Sequence, residues 1–451
     1  MSGRMKNAGL RSRLNNRVCG ILTWPTGFAI ILKDNLKGLP TAVTLFKKDM
    51  GIMDKRRKIK ATAAYSLVQI GTWAYYAVIL SFAGNFLKEH GFTDSGVGLL
   101  LGAAAAVSFV LQILFAELVS RLKRLTMYTV GIASAIVMAA CSAAVLSDMT
   151  ALAIGCYFIA CSLLQALPGI GNTIGMEAIE AGSPTAYSVA RGMGSLGYSI
   201  FAYVTGLLVA SLGIRMVSYL GLVVSAIMLA GLFLYSSEIR TGSAASVTKE
   251  ARSGGFFRQN KAFFIFLIGA VFLCINHNLI TCFLYRIMLF KQGTAADQGL
   301  AAGISAIVEV PIMFLFPYIT KRIPCKALVC FSGLWFAVKS LCCFIVSTPG
   351  GMFVASALQI FSWGLYSIAA VDHVSKLVPA GETVRAQSYL ASAAPIGGFI
   401  SMLCGGFILD SLGVQALLLI STVCGLIGAA FILVSVIKKD WGKDSNCLNA
   451  N

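Results

Sequence analysis

Long apolar runs separated by short polar segments make up most of the chain. A helix needs about 20 apolar residues to cross the hydrocarbon core of a bilayer, and twelve runs reach that length. They are 62–87, 94–119, 126–146, 150–176, 187–212, 215–236, 262–287, 297–320, 326–347, 350–375, 386–411 and 413–437. The pattern predicts an all-α membrane protein with twelve transmembrane helices, spans 1 to 12. They form two pseudo-symmetric six-helix bundles, 62–236 and 262–437, joined by a polar cytoplasmic linker at 237–261.

Composition supports a membrane protein. Hydrophobic residues make up 57% of the chain and charged residues only 12%, whereas soluble domains carry about 25% charged residues. Most of the 13 cysteines lie inside apolar runs, and no Cys-x-x-Cys spacing occurs. The cysteines are therefore interpreted as small apolar residues, and neither a metal site nor a cofactor is predicted.

The basic residues predict the orientation in the membrane. The net charge is +18, and the basic residues cluster between the apolar runs, which favours membrane topology over nucleic-acid binding. Counted from residue 55, alternate segments carry 21 Lys and Arg residues, and the opposite segments carry four, Lys88, Arg215, Arg286 and Lys291. We therefore expect both termini in the cytoplasm of a multi-pass protein of the plasma membrane.

The two halves also share sequence. When 188–213 is aligned with 388–413 without gaps, seven positions are identical, and both segments end in Ser-Leu-Gly. Parallel repeats of six helices are typical of transporters that place their substrate site between the halves, near the bilayer midplane.

The terminal segments do not fit the pattern of spans. Residues 1–61 are expected to form a basic cytoplasmic segment, and 438–451 a cytoplasmic tail. Residues 1–52 hold nine basic residues and one apolar run, 19–32, that is too short to span a bilayer. One hypothesis is that translation starts at Met53. The alternative is an interfacial amphipathic arm.

Several segments resemble the major facilitator superfamily, and specifically its lactose permease-like, oligosaccharide/proton symporter branch. They are the turn 92–96, the end of span 2 at 115–124, the start of span 5 at 191–198, the end of span 8 at 312–322, and 405–413. The resemblance covers roughly 62–437 and implies the major facilitator fold and alternating access.

This chain departs from that family at several positions. The loop motif has Ala116 where the family has glycine and Ser120 where it has an acid. Gln359 and Ser362 stand where the family carries a histidine and a glutamate for proton coupling. These departures place proton coupling by the usual route in question.

Ionisable residues inside spans are costly and are therefore functional candidates. Glu309 in span 8, His277 in span 7 and Lys339 in span 9 are the proton-coupling candidates. Lys339 could pair with Glu309 or bind substrate, and Asn276 and His277 are substrate-binding candidates. A structural ion pair or an interhelical hydrogen bond is the alternative for each.

Further candidates rest on the resemblance. It implies that Arg191 contacts sugar and that Tyr198 supplies an aromatic face, with Glu177 or Glu180 as an acidic partner for Arg191. The alternative for Arg191 is a snorkelling side chain at the inner membrane edge. Gating candidates are Arg121 and Arg124 after span 2, and Asp372 at the end of span 10.

These observations predict a secondary transporter of a small polar solute, most plausibly a sugar or glycoside, with protons as the coupling ion. It is expected to act as a monomer in the bilayer, without nucleic acid. An efflux carrier of the same fold and a non-transporting membrane sensor are the alternatives. An enzyme is not predicted, and the sequence has no Walker A loop to support ATP-driven pumping.

Overall fold

The computed structural model describes residues 40–122, 125–239, 256–379 and 382–448, and these are almost entirely helical. Within these ranges, eleven helical segments are long and apolar enough to cross a membrane. The last, Arg385–Lys438, has 54 residues, which is about 80 Å of helix at 1.5 Å per residue. That is more than twice the ~30 Å hydrocarbon core.

This long helix is in fact two antiparallel spans. Gly413 has non-helical dihedral angles, with φ of 79°, a region that glycine enters without steric cost. On either side of it, Ser401 donates to the carbonyl of Ile275 and Ser421 donates to the carbonyl of Asn276, each at 3.0 Å. Two serines 20 residues apart reach adjacent carbonyls only if the chain reverses between them. The prediction of an all-α fold with twelve spans is confirmed within the described ranges.

The helical segments agree with the predicted runs to within a few residues, except where spans are broken and at the two ends, where helix begins at Pro40 and continues to Leu448. In chain order they are Pro40–Tyr75, Tyr76–Leu80 and Ala83–Glu89 (span 1); Asp94–Arg121; Met127–Ala144; Thr150–Glu180; Tyr187–Leu212; Met216–Tyr235 (span 6); Lys261–Cys282 and Leu284–Phe290 (span 7); Ala295–Ile307 and Glu309–Ile319 (span 8); Cys325–Ile345; Pro349–Ala357, Leu358–Ile360 and Trp363–Leu377 (span 10); and Thr383–Leu448 (spans 11 and 12).

Threonines fix the starts of four spans. Thr93, Thr126, Thr294 and Thr348 precede spans 2, 3, 8 and 10, and each side chain accepts a hydrogen bond from the backbone N–H three residues on. Such caps satisfy amides that have no partner inside the helix, and each contributes about 1 kcal/mol.

Buried apolar side chains of the described residues form three clusters. One lies almost wholly within 61–239 and a second within 256–432. The third joins the halves, because Ala77 and Ala202 pack against residues between 279 and 418. Large apolar side chains such as Phe109 and Ile113 point outward, as expected for a surface that contacts lipid.

Four spans are broken where the sequence predicts continuous helices: span 1 near Ser81, span 7 at Phe283, span 8 at Val308 and span 10 at 358–362. In span 8, Pro311 cannot donate to Ile307, which explains the break there. Pro168 in span 4, by contrast, does not interrupt its helix, because Thr150–Glu180 is helical throughout.

The halves touch at two glycine crossings. A Cβ atom on Gly206 of span 5 would lie 2.9 Å from Cα of Gly299 in span 8, and one on Gly98 of span 2 would lie 3.3 Å from Cα of Gly406 in span 11. Gly206 and Gly406 are also equivalent in the sequence repeat. The two crossings are therefore pseudo-symmetric mates, in which glycine lets backbones pack against each other.

We predict that backbone-to-backbone packing makes Gly231 intolerant of a side chain. A Cβ there would lie 2.7 Å from the backbone nitrogen of Val68 in span 1, so Gly231→Val should lower the free energy of unfolding by about 1–3 kcal/mol. Gly155→Val is the control, because nothing lies within 4 Å of its added Cβ. Thermal unfolding in detergent, followed with a thiol-reactive dye, measures both. Equal melting temperatures for the two variants would contradict this packing.

Candidate functional site

Polar side chains from spans 5, 8, 9 and 10 converge in the interior between the two halves. The Lys339 ammonium donates to Oε1 of Gln359, and Nε2 of Gln359 donates to Oε1 of Glu309 at 3.1 Å. Lys339 is 5% exposed and Gln359 is 3% exposed. A cation and an anion are thus linked across three helices by one amide, which acts as acceptor towards the first and donor towards the second.

Two helix breaks place this chain of bonds. Span 8 restarts at Glu309 after the interruption at Val308, and the turn at Leu358–Ile360 in span 10 carries the buried Gln359. Irregular backbone at membrane depth occurs where it is buried in protein or lines a cavity. The expected direct pair of Lys339 with Glu309 is corrected by the structure, because Gln359 lies between them.

Arg191 lies on an aromatic plate and not at the membrane edge. Its guanidinium carbon is 4.2 Å from the centre of the Trp73 ring in span 1, a cation–π contact. Its Nη1 atom is buried and has no hydrogen-bond partner among the described residues. The acid whose charge acts on it is Glu309, whereas Glu177 and Glu180 contribute no ion pair to it within the described chain. The snorkelling alternative does not fit this position.

A network of amides and phenols surrounds the Trp73 ring. Trp73 donates to Oε1 of Gln69 at 3.3 Å, and Nε2 of Gln69 donates to the Tyr65 hydroxyl at 2.7 Å. Nε2 of Gln69 also lies 3.4 Å from Oδ1 of Asn172 in span 4, which accepts from the Tyr187 hydroxyl at 3.0 Å. These bonds fix the orientation of the ring under Arg191.

His277 faces the site, and its neighbour Asn276 does not. The His277 ring stacks on Trp363 with centroids 4.5 Å apart and planes 9° apart, and the Lys339 charge acts on it. Asn276 is 1% exposed, and its amide donates to Ser340 at 3.0 Å and to the carbonyl of Ser421 at 2.6 Å. Asn276 therefore holds spans 7, 9 and 12 together, and the expectation that it binds substrate is corrected.

Tyr198 lies where spans 1, 5 and 8 meet. Its hydroxyl is 2.8 Å from the Ser81 hydroxyl at the break of span 1. The carbonyl of Ser81 accepts from Gln298 of span 8 at 2.6 Å. Tyr198 is half-buried, so part of its ring is open to the interior, in keeping with the expected aromatic face.

The two halves are locked together at the end that carries loops 90–93, 291–294 and 411–413, here called the closed end. Asp94, with a side chain 2% exposed, pairs with Arg286 at 2.9 Å and with Lys88 at 3.5 Å. It also accepts from the Tyr285 hydroxyl at 2.5 Å. Asp94 belongs to span 2, whereas Tyr285 and Arg286 belong to span 7, so these bonds join the halves.

Asp410 adds a second link at the closed end. Its carboxylate accepts from the backbone amides of Asp94 at 3.1 Å and Ser95 at 2.7 Å. It therefore caps the first turn of span 2 from the opposite half, where a negative charge is favoured by the helix dipole.

The gating candidates lie at the opposite end. Arg121 pairs with Glu117 at 2.5 Å, and Asp372 pairs with Lys376 at 2.6 Å, each within its own helix and largely exposed. Arg124 lies outside the described residues.

Sequence reasoning missed Trp363, and it noted Gln359 only as a departure from the family, not as part of the site. An aromatic residue in an apolar run resembles ordinary packing. It also missed Asp94, for which a signal existed: an acid in the first turn of span 2 and an arginine in span 7, which the topology places at the same end.

Comparison with known proteins was made for the whole chain. Residues 65–420 match the model of the MFS_1 like family. A search of the curated proteins found no match.

The fold is shared with solved transporters. A crystal structure of a variant of the nucleoside transporter NupG matches with a TM-score of 0.66 at 15% identity, covering 84% of this chain and 98% of that one. A bacterial homologue of the human lysosomal transporter Spinster, in an inward-facing and occupied conformation, matches with a TM-score of 0.62 at 15% identity, covering 83% and 96%.

We predict that Asp94→Asn loosens the closed end, because it leaves Arg286 and Lys88 without their buried counter-charge. Breaking a buried pair costs about 3–5 kcal/mol. Hydrogen exchange of 284–290 and 94–98 should accelerate, and the melting temperature should fall. Asp148→Asn is the control, since its 3.2 Å pair with Arg215 is exposed and such pairs contribute about 0–1 kcal/mol. Indistinguishable exchange in the two variants would contradict the assigned lock.

Proposed function

The chain belongs to the MFS_1 like family and is a secondary transporter of a small solute; from this premise we propose that the solute is a sugar or glycoside, carried by alternating access with proton coupling. The site between the halves is the proposed substrate site. Two features support a sugar. Residues 191–198 resemble the sugar permeases, and Arg191 lies on the aromatic ring of Trp73.

The observation that carries this proposal is the convergence of charged groups from both halves. Arg191 comes from the first half and Glu309 from the second, and the Glu309 charge acts on both Arg191 and Lys339. Charges within the bilayer are costly and mark substrate or ion pathways. In transporters built from repeats, the site lies where the repeats meet.

Glu309 is the proposed proton carrier. The family's histidine and glutamate are replaced by Gln359 and Ser362, and Gln359 instead donates to Glu309. A carboxyl group bonded to an amide and close to two cations exchanges a proton as those cations are engaged by substrate or released. Lys339 and His277 are proposed to modulate this exchange through their charges.

The proposed topology makes this an inward-facing state. The excess of basic residues favours cytoplasmic termini, so the closed end faces outward and the site opens to the cytoplasm. Arg121, Arg124 and Asp372 then lie at the cytoplasmic end. Arg121 pairs with Glu117 and Asp372 pairs with Lys376, each within its own helix, and exposed pairs contribute little. We propose that these residues exchange partners when that end closes, and that the transporter acts as a monomer in the plasma membrane.

A nucleoside is the second candidate. The Trp73 and Trp363 rings suit a planar base as well as the apolar face of a sugar, and NupG, which has the same fold, is named a nucleoside transporter. An efflux carrier would use the same site in the opposite direction, and a sensor would bind solute without moving it.

Proton movement in proteoliposomes distinguishes these functions. Sugars, glycosides and nucleosides are added in turn while the external pH is followed. Alkalinisation outside the vesicles on addition of a sugar supports symport of that sugar. A response to nucleosides alone favours the second candidate, and movement in the opposite sense favours an antiporting efflux carrier.

We predict that Glu309→Gln abolishes accumulation of substrate against its gradient but spares exchange, because the variant keeps the hydrogen-bonding shape and loses the titratable proton. Accumulation and counterflow of labelled substrate measure the two activities. Glu89→Gln is the control, since Glu89 is exposed at the closed end and is expected to leave both activities unchanged. Normal accumulation by Glu309→Gln would rule out its proposed role.

A further inference from the structure

The charges that face the site do not balance. Among the described side chains at its centre, Arg191 and Lys339 are basic, Glu309 is the one acid, and the His277 imidazole stacks on Trp363. Lys339 and Glu309 are joined through Gln359 and compensate each other. Glu309 can neutralise only one of these two basic side chains. The other has no counter-charge among the described side chains of the site, so the site carries a surplus of positive charge.

The surplus is localised on Arg191. Its Nη1 atom is buried without a hydrogen-bond partner among the described residues. The polar groups around the Trp73 ring bond to one another: Gln69 accepts from Trp73, and Asn172 accepts from Tyr187. The Trp73 ring contacts one face of the guanidinium, which holds the fork in place and leaves its edge for a ligand.

An unpaired guanidinium in this position is unfavourable. Arginine does not deprotonate in proteins, so it cannot escape the cost by becoming neutral. A buried charge without a partner costs several kcal/mol. Because the described protein groups do not supply the partner, an incoming ligand is the natural source, and a carboxylate matches the planar fork with two parallel hydrogen bonds.

We propose, on the premise of the proposed transport function, that the substrate is a monoanionic solute: a hydroxylated carboxylate such as a sugar acid. Its carboxylate binds the Arg191 fork, and its apolar face packs on the aromatic plates. When Glu309 is ionised, one negative charge neutralises the surplus, and a phosphate monoester, at about −1.5 to −2 near neutral pH, would exceed it. The planar fork also matches a carboxylate with two parallel hydrogen bonds.

Glucuronate and glucose are the matched probes, because they share a ring and differ in the charged group. In proteoliposomes, wild-type protein should prefer glucuronate to glucose at least tenfold, either in the rate of uptake or in the concentration that half-saturates uptake. Arg191→Gln should abolish that preference, measured as the ratio of glucuronate uptake to glucose uptake by the same variant. Arg191→Lys, which keeps the charge and loses the fork, should retain an intermediate preference. Arg215→Gln, an exposed arginine away from the site, is the control.

The outcomes separate this inference from the proposed function. Transport of glucose with no preference for glucuronate, unchanged in Arg191→Gln, would overturn the monoanion inference and leave sugar transport standing. If folded protein transports neither sugar, the sugar proposal fails. The monoanion inference is then tested by melting temperature, with lactate, benzoate and gluconate each compared with its neutral amide. Stabilisation by a carboxylate that is lost in Arg191→Gln supports it, and no such shift overturns it.

Discussion

The hydrocarbon interior of a bilayer offers no hydrogen bonds, and most features of this structure follow from that constraint. Every backbone N–H and C=O in a span must find its partner within the protein, which is why the described chain is almost entirely helical. The same rule decides where a helix can be interrupted. At two of the breaks, side chains bond the freed carbonyl groups: Gln298 of the other half donates to Ser81, and Ser362 donates to Leu358 and Gln359.

Polar side chains in the spans fall into two groups under this constraint. The first is satisfied by packing: Asn276 bonds to Ser340 and to the carbonyl of Ser421, and Ser401 bonds to the carbonyl of Ile275. These residues act as interhelical links. The second group faces the space between the halves, and its bonding is incomplete, as the buried Nη1 of Arg191 shows. A charged group that is incompletely bonded at such depth is costly, and this supports the space between the halves as the candidate functional site.

The fold could be predicted from sequence because run length and charge alternation each act over whole segments. The site was only partly predictable. Glu309, Lys339, His277 and Arg191 stand out because ionisable residues are rare in spans, but their partners do not. The bridge by Gln359 depends on the break in span 10, and the role of Trp73 depends on how spans 1 and 5 cross. Asn276 and His277 are adjacent in sequence, and a rotation of about 100° along the helix separates a packing residue from a site residue.

The closed end combines close packing with contacts that can be separated. At the crossings of Gly206 with Gly299 and of Gly98 with Gly406, backbone packs against backbone, so separating these helices breaks many small dispersion contacts. Tyr285, which is 2% exposed and bonds to Asp94 across the junction, must be released as well. The ionic part is similarly reversible. Asp94 is buried, but the side chains of Lys88 and Arg286 are 34% and 35% exposed, so water can solvate the cations as the pairs part. A junction of this kind holds one state firmly and still permits the halves to separate, which is what a carrier with one site and two access routes requires.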